Sequence, residues 1–326
     1  QPNIQTFMTR QAGNNTIDLT PHDAGGQRGY LHIIGSGSAL PTKNNFPSSQ
    51  MLELRNKQFM IDCGEGTQIR LRQMGLKTNR LGHLFISTLH VFGLMGLLTS
   101  FGMLNRTSDV AIHAPRDLEA LLIPHLRYFA DGCPFQIIFQ PFNPAASEII
   151  YEDRSVQVST IPLKHRVPSG GFLFEEKTGD RHIKRDMIDF YQIPTWKILK
   201  IKQGEDFVTD EGETIPNEVI TTPPTPPIRY AYCSDTAYSE KIIPIIEGVD
   251  CLYHEATFAE DEALRARQTM HSTARQAAEI ARKAQVKKLI IGHFSARYAN
   301  KTVLLNQAKE IFENTFLAED MKTFEF

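Results

Sequence analysis

Apolar residues along this chain come mostly in short runs of strand length, and helical spacing appears chiefly between them. Residues 30–34 make the first such run, closed by Gly35-Ser36-Gly37-Ser38. Residues 51–54 and 58–61 flank Arg55-Asn56-Lys57 and predict a hairpin. The turn Asp62-Cys63-Gly64-Glu65-Gly66-Thr67 leads into an amphipathic helix that runs through Met74 and closes at Gly75. An apolar strand then enters Ser87-Thr88-Leu89-His90, and a Gly-containing helix, apolar on nearly all sides, occupies 93–104. Further strands are predicted at 110–113, 135–139, 156–163, 172–175, 230–233, 251–253 and 288–291. Helices fall at 116–128, 239–247, 272–284 and 302–312. Strand-rich runs followed by βα units predict two sheets enclosed by helices. No internal repeat of fixed period is present.

Residues 178–227 break this rhythm. They carry Arg181, His182, Lys184, Arg185, Lys197, Lys200 and Lys202, then an acidic stretch, then Pro223-Pro224-Thr225-Pro226-Pro227. A proline run is stiff and extended, so the segment reads as an insertion with a strap rather than as another strand. The expected organisation is an N-terminal extension over 1–29 and one domain over 30–326, with this inserted arm.

Of the 326 residues 41% are hydrophobic, enough for a sizeable core. No run of about 18 apolar residues occurs, so no membrane span is expected. The polar first 29 residues do not read as a signal peptide. Cys63, Cys133, Cys233 and Cys251 form no Cys-x-x-Cys pair, which fits a reducing cytoplasm. A formal charge of −2 excludes nucleic-acid binding by bulk charge and requires a local basic face instead. The Gly35–Ser38 stretch lacks the lysine of a P-loop and predicts a turn.

The chemistry-bearing side chains cluster where strands end. His90, His165, Asp235, Glu255 and His293 each stand at or just beyond a predicted strand terminus. Metal hydrolases recruit ligands from such places because the strand fixes the side chain while the loop leaves an open coordination position. Taken singly, a strand-end histidine is more often a hydrogen-bonded structural residue than a ligand. Alternation puts His254 and Glu255 on opposite faces, so only Glu255 should face a site. A carboxylate beside an imidazole raises its pKa toward the working range and suits the ring to general acid–base work.

The stretch Ile86-Ser87-Thr88-Leu89-His90-Val91-Phe92-Gly93-Leu94 resembles the His-x-His-x-Asp-His signature of the metallo-β-lactamase superfamily, and more closely its ribonuclease Z family. Thr88 stands at the first histidine, and three residues of the type Gly-Asp-His are absent after His90. A loop encoded in the gene but missing from this sequence would leave the same signature. The coding sequence across 87–92 decides between the two. The resemblance implies a four-layer αβ/βα sandwich with an inserted arm. It matches His165 in Leu163-Lys164-His165, Asp235 in Ser234-Asp235-Thr236, and His293 in Gly292-His293-Phe294-Ser295 to metal ligands. It matches Glu255 and His271, in His254-Glu255-Ala256-Thr257-Phe258 and His271-Ser272-Thr273, to a carboxylate orienting a general acid. Asp62 and Glu65 are expected to be turn residues supporting the site from behind.

The implied function is a zinc endoribonuclease that cleaves tRNA precursors at the 3′ end and leaves a 3′-hydroxyl, acting as a homodimer. Two zinc ions are implied by the family. As written, the chain is expected to hold at most one tightly, through His90, His165 and Asp235. Lys43, in a loop that partly resembles the family's Pro-x-Lys-x-Arg-Asn with Asn45 at its arginine, is expected to contact substrate, as are Lys197 and Lys200 of the arm. Ile193-Pro194-Thr195-Trp196-Lys197 replaces the Gly-Pro tip of the best-known bacterial arm. Two alternatives remain open: an impaired relative serving as an RNA-binding module, and a phosphodiesterase for small phosphodiesters.

Overall fold

The computed structural model describes residues 29–129 and 133–326, so the predicted extension over 1–29 lies almost wholly outside the described residues. Its first half builds β1 (Tyr30–Gly35), β2 (Ser49–Leu54), β3 (Lys57–Cys63), β4 (Leu81–Phe85), β5 (Val110–Pro115) and β6 (Ile137–Phe142). Between them lie α1 (Thr67–Gln73), α2 (Leu94–Met103) and α3 (Arg116–Phe129). Next come β7 (Ile149–Glu152), β8 (Val156–Pro162) and β9 (Gly170–Glu176). The insertion holds β10 (His182–Ile183), α4 (Arg185–Phe190), α5 (Thr195–Lys202), β11 (Phe207–Val208), β12 (Thr214–Ile215), α6 (Asn217–Ile220) and β13 (Thr221–Thr222). The last part supplies β14 (Arg229–Cys233), α7 (Ile243–Ile246), β15 (Cys251–Glu255), α8 (Ala263–Thr269), α9 (Ala274–Lys283), β16 (Leu289–Gly292), α10 (Thr302–Lys309), β17 (Thr315–Leu317) and β18 (Thr323–Glu325).

Two seven-stranded sheets result, in the orders β18-β1-β2-β3-β4-β5-β6 and β17-β16-β15-β14-β9-β8-β7. Period-two alternation explains how each sheet buries both faces. On β14, Tyr230 and Tyr232 enter the core between the sheets, with Phe59, Phe85, Phe172 and Phe174. Ala231 and Cys233 of the same strand pack outward on α9 and α10 through Ala277, Ala281 and Leu304. The first sheet is covered likewise by Leu71 of α1, Leu97 and Phe101 of α2, and Leu118 and Leu122 of α3. This is the expected four-layer arrangement. The helix expected at 239–247 forms only as a short 3₁₀ turn followed by α7, because Pro244 follows the first residue of α7.

The insertion has its own small core of Ile193, Ile201, Phe207, Ile215 and Ile220. Two short antiparallel ladders, β10 with β13 and β11 with β12, close it. The proline-rich stretch 223–227 carries no regular structure and connects this unit to β14.

A histidine pair on the first sheet, His113 buried and His83 half-buried, sets an acid limit on stability. His83 Nδ1 lies 3.0 Å from His113 Nε2, and the His113 ring stacks on Phe85 at 4.4 Å. Burial, reinforced by the neighbouring His83, pushes His113 down to about 3. The unfolded chain therefore binds this proton near pH 6.5 and the folded chain does not. Stability from His113 is complete above pH 6.5 and falls as the pH drops toward 3, by about 1.4 kcal/mol per unit. Urea titrations of wild type and His113→Gln should show the variant's deficit at neutral pH shrinking on acidification. A deficit that stays constant from pH 7 to 4 would contradict this.

Candidate metal centre and general acid

The site lies where the parallel strands of both sheets end, the usual place for function in α/β sheets. Asp62 follows β3's central residues, Asp235 follows β14, and His293 follows β16. All three turn through the left-handed region, with φ near 57°, 58° and 58°. Asp and His tolerate that conformation better than most residues, at a cost of order 1–3 kcal/mol, and it swings the side chain off its strand. The result is convergence. His90 Nε2 lies 2.8 Å from Asp235 Oδ2, His293 Nε2 lies 3.2 Å from His90 Nε2, and His293 Nε2 lies 3.4 Å from Asp235 Oδ1.

The short turn carrying His90 is held from below. Asp62, fully buried, accepts from Ser87 N at 2.8 Å, Ser87 Oγ at 2.9 Å and Tyr232 Oη at 2.6 Å. Cys63 N donates to His90 O at 2.8 Å, and Gly93 N donates back to Cys63 O at 2.9 Å. Gly93 is required: a Cβ there would sit 2.0 Å from Gly64 O. The turn thus runs directly into α2 without the three residues the resemblance expects. Thr88 is buried, and its Oγ1 has no hydrogen-bond partner among the described residues.

Glu255 is the second anchor, with no exposed surface. Its Oε1 accepts from Thr236 N at 2.6 Å and from His271 Nδ1 at 2.9 Å. Its Oε2 accepts from Ser272 N at 2.9 Å and Thr257 Oγ1 at 2.6 Å. His254 points away, bonding Glu255 O through Nδ1, as alternation predicts. Two residues that sequence reasoning passed over belong here. Thr236 fixes the carboxylate beside Asp235, and Thr257 Oγ1 lies 3.0 Å from His293 Nδ1. Thr257 was legible, since it stands two residues after Glu255 and shares its face. Ser272 is not the helix cap; Thr273 is, in a capping box with Gln276.

Electrostatics follow from this crowding. Burial lowers His90, but the adjoining Asp235 carboxylate more than reverses this and carries it up to about 9. Burial raises Asp235, yet His293 and His90 outweigh it and hold the carboxyl far below its ordinary range. His293 is pushed down to about 4 by burial, with His90 and His271 beside it adding to the effect against the pull of Asp235 and Glu255. Burial lowers His271 too, and the bond to Glu255 reverses it, so its pKa is raised.

These residues fit a cation. Two ligands at ~2.0–2.1 Å around a tetrahedral zinc stand about 3.3 Å apart. The three edges of the His90–Asp235–His293 triangle, 2.8, 3.2 and 3.4 Å, bracket that value. The expected trio of His90, His165 and Asp235 is not what assembles. His165 Nε2 stays 3.9 Å from Asp235 Oδ1, and its ring lies beside His271 at 5.0 Å. His90 takes Asp235 Oδ2, while His293 and His165 both approach Oδ1, His293 the nearer of the two.

Near this centre, a cavity of about 470 Å³ is lined by Lys43, Asn45, Phe294, Ser295, Tyr298 and Lys301. Lys43 is exposed there, and Lys301, which the sequence reading passed over, donates to Asn45 Oδ1 at 2.9 Å. The Lys197 ammonium donates to Val208 O at 2.9 Å and sits 4.8 Å from the Phe207 ring centre, contacts that leave its charge unneutralised. The residue braces the arm. Lys200 remains exposed, with only a 3.9 Å approach to Glu205. Trp196 is 71% exposed beside it on α5.

A family model described as Beta-lactamase superfamily domain matches residues 219–294, and one described as Anti-Pycsar protein Apyc1 matches 30–198. A ribonuclease Z of Phocaeicola vulgatus is 54% identical over 293 residues, covering 89% of this chain and 95% of that protein. The chain belongs to the ribonuclease Z family. The ribonuclease Z of Porphyromonas gingivalis is 47% identical over the same length, covering 89% and 96%. Among solved structures, human tRNase Z, short form, aligns with a TM-score of 0.64 at 21% identity, covering 90% of this chain and 98% of that one. The metallo-β-lactamase fold protein YhfI of Bacillus subtilis aligns at 0.65 with 16% identity, covering 92% and 100%. These two establish the fold. The fold implies a divalent metal, for which His90, Asp235 and His293 are close enough together to serve, and no helix among the described residues is long and apolar enough to cross a membrane.

Proposed function

We propose that this ribonuclease Z family member is a zinc-dependent endoribonuclease that cleaves tRNA precursors at their 3′ end. The observation that carries the reading is the Glu255–His271 pair, 2.9 Å apart, set against the His90–Asp235–His293 cluster by ring contacts of 5.3 Å and 5.0 Å from His271 to His293 and His165. A divalent cation held by His90, Asp235 and His293 would neutralise charge on the phosphate and make a water acidic enough to attack it. Glu255 fixes the His271 ring through Nδ1 and stabilises its protonated form. Nε2, which makes no hydrogen bond among the described residues, then gives its proton to the departing 3′ oxygen. The tRNA keeps a 3′-hydroxyl, and the trailer keeps the phosphate. Lys43 and Lys301 beside the cavity, and Lys200 with Trp196 on the arm, offer charge and a stacking face to RNA. The test is incubation of the zinc-loaded chain with a tRNA precursor carrying a 3′ trailer. Release of a trailer with a 5′-phosphate is expected. Binding without cleavage would favour the RNA-binding module, and turnover of small phosphodiesters alone would favour the third reading.

The same reading includes a cytoplasmic homodimer. Phe92 before α2, Met103 and Leu104 at its end, and Leu121 on α3 are exposed apolar side chains. Sedimentation at micromolar concentration should give twice the chain mass; a monomer would remove this part of the proposal.

A further inference from the structure

Residues 179–226 form a lobe of their own. Their apolar side chains pack on one another around Ile193, Ile201, Phe207, Ile215 and Ile220. Among the described residues, their hydrogen bonds and ion pairs also stay inside the lobe, as in Arg181 with Thr221, Lys184 with Val219 and Asn217 with Asp206. The direction in which the arm stands is therefore set where the chain leaves the domain and returns, at Lys177 and Ile228. We propose that Arg55 and Glu176 are positioning residues that clamp these two points together and so govern the affinity for an RNA long enough to reach both the arm and the metal centre. The RNA part rests on the function proposed above; the clamp does not.

The two points are joined by one carboxylate. Glu176 N donates to Ile228 O at 2.9 Å, and Ile228 N donates back to Glu176 Oε2 at 3.1 Å. In an antiparallel pair that return bond ordinarily goes to a main-chain carbonyl, so here a side chain closes the ladder between β9 and β14. Arg55 meets the same oxygen from the turn between β2 and β3, with Nε 3.1 Å from Oε2. Its Nη2 donates to Lys177 O at 3.3 Å. One guanidinium thus holds the outgoing chain directly and the returning chain through Glu176. A third turn braces the junction, since Lys177 N donates to Ser155 O at 2.8 Å and Lys57 Nζ to Ser155 Oγ at 2.8 Å.

Two observations separate this clamp from an ordinary surface ion pair. Its side chains are only 14% and 1% exposed, and desolvation offsets most of the attraction in a buried pair, which suits it to fixing geometry more than to adding stability. Arg55 also sits at φ 49°, followed by Asn56 at 60°, in a two-residue hairpin turn that glycine or asparagine fills at least cost. A long side chain persists in that conformation where its surroundings require it, and the contacts of the guanidinium supply the requirement. The consequence for binding is one of effective concentration. An RNA held at the arm meets the metal centre at a local concentration set by the stiffness of what joins the two. Freed at its root, the arm samples directions from which the RNA reaches only one of them.

The test uses Arg55→Met, which keeps the stem without the charge, and Glu176→Gln, which keeps an acceptor for Ile228 N. Each should raise KM for a tRNA precursor by about tenfold or more while kcat stays within a few-fold. Turnover of bis(p-nitrophenyl) phosphate, too small to touch the arm, should not change. Arg55→Lys, which retains the charge, should recover part of the affinity. Orientation is read without RNA from spin labels at Glu211→Cys on the arm and Gln268→Cys on α8, with the labelled chain diluted into unlabelled protein. The distance distribution should broaden in both variants. If one variant fails to fold by circular dichroism, the other carries the test together with Arg55→Lys. A precursor KM equal to wild type, equal losses on both substrates, or an unbroadened distribution would overturn the proposal. A wild-type chain that cleaves no tRNA precursor would overturn the proposed function, and the spin-label distances would then decide the clamp alone.

Discussion

Replacing His271 by alanine is expected to lower cleavage of a tRNA precursor by about 10²- to 10⁴-fold while the metal content of the protein stays at the wild-type level. The size follows from the role. The leaving 3′ oxygen departs as a strongly basic alkoxide unless a proton reaches it in the transition state. His271 is equipped to supply one: Glu255, buried and engaged by four donor groups, holds Nδ1 and keeps the imidazolium stable. The ring is fixed from both sides of the chain. His271 N donates to Ala266 O at 2.8 Å, and the next residue begins the approach to α9. Metal content separates this role from a ligand role, because His271 contributes to none of the three edges measured around His90, Asp235 and His293. Steady-state cleavage of a labelled precursor, with metal analysis on the same sample, checks it. Unchanged cleavage by the alanine variant, or loss of the ion with it, removes His271 from the acid position.

Asp62→Ala is expected to cost about 3–5 kcal/mol of stability and to weaken metal binding as well. Asp62 accepts three hydrogen bonds, all within the interior, and two go to Ser87 at the start of the metal turn. The third comes from Tyr232 on β14 of the opposite sheet, so this carboxylate ties the two layers together beneath the site. Removing it leaves a buried N–H and two buried hydroxyls without an acceptor, at about 1–3 kcal/mol each. Tyr232 recovers part of the loss, because Ser48 Oγ stands 2.9 Å from its hydroxyl. Asparagine is not a full substitute, since its amide would set a donor against one of these donors. Urea unfolding of the metal-free variant measures the first effect and a chelator competition the second. A loss below about 1 kcal/mol would show that Asp62 is replaceable by water or by a shift of the turn.

The local grammar of the chain determined most of the fold. Period-two alternation and turn residues mark β1 to β5, β8, β9 and β14 to β16, because each of these strands buries one or both faces and must place apolar residues accordingly. It also determined that Glu255, not His254, faces the site, for the same reason. Short edges escaped. β7, β17 and β18 span four, three and three residues, too few for a period to register, and exist because a neighbouring strand offers hydrogen bonds. The side chains that converge in the structure were likewise readable as candidates, since His90, His165, Asp235, Glu255, His271 and His293 each lie in a recognisable phrase. Their partnerships were not. His90 meets Asp235 across 145 residues and His293 across 203, and whether His165 or His293 completes the set depends on angstrom-scale placement of strand ends from two different sheets. Left-handed turns at Asp235 and His293, the shortened loop before Gly93 and the hydroxyl of Thr257 fix that placement. Lys197 shows the same limit on the surface: its charge is readable in the sequence, but its use against Val208 and Phe207 is visible only once the arm has folded around it.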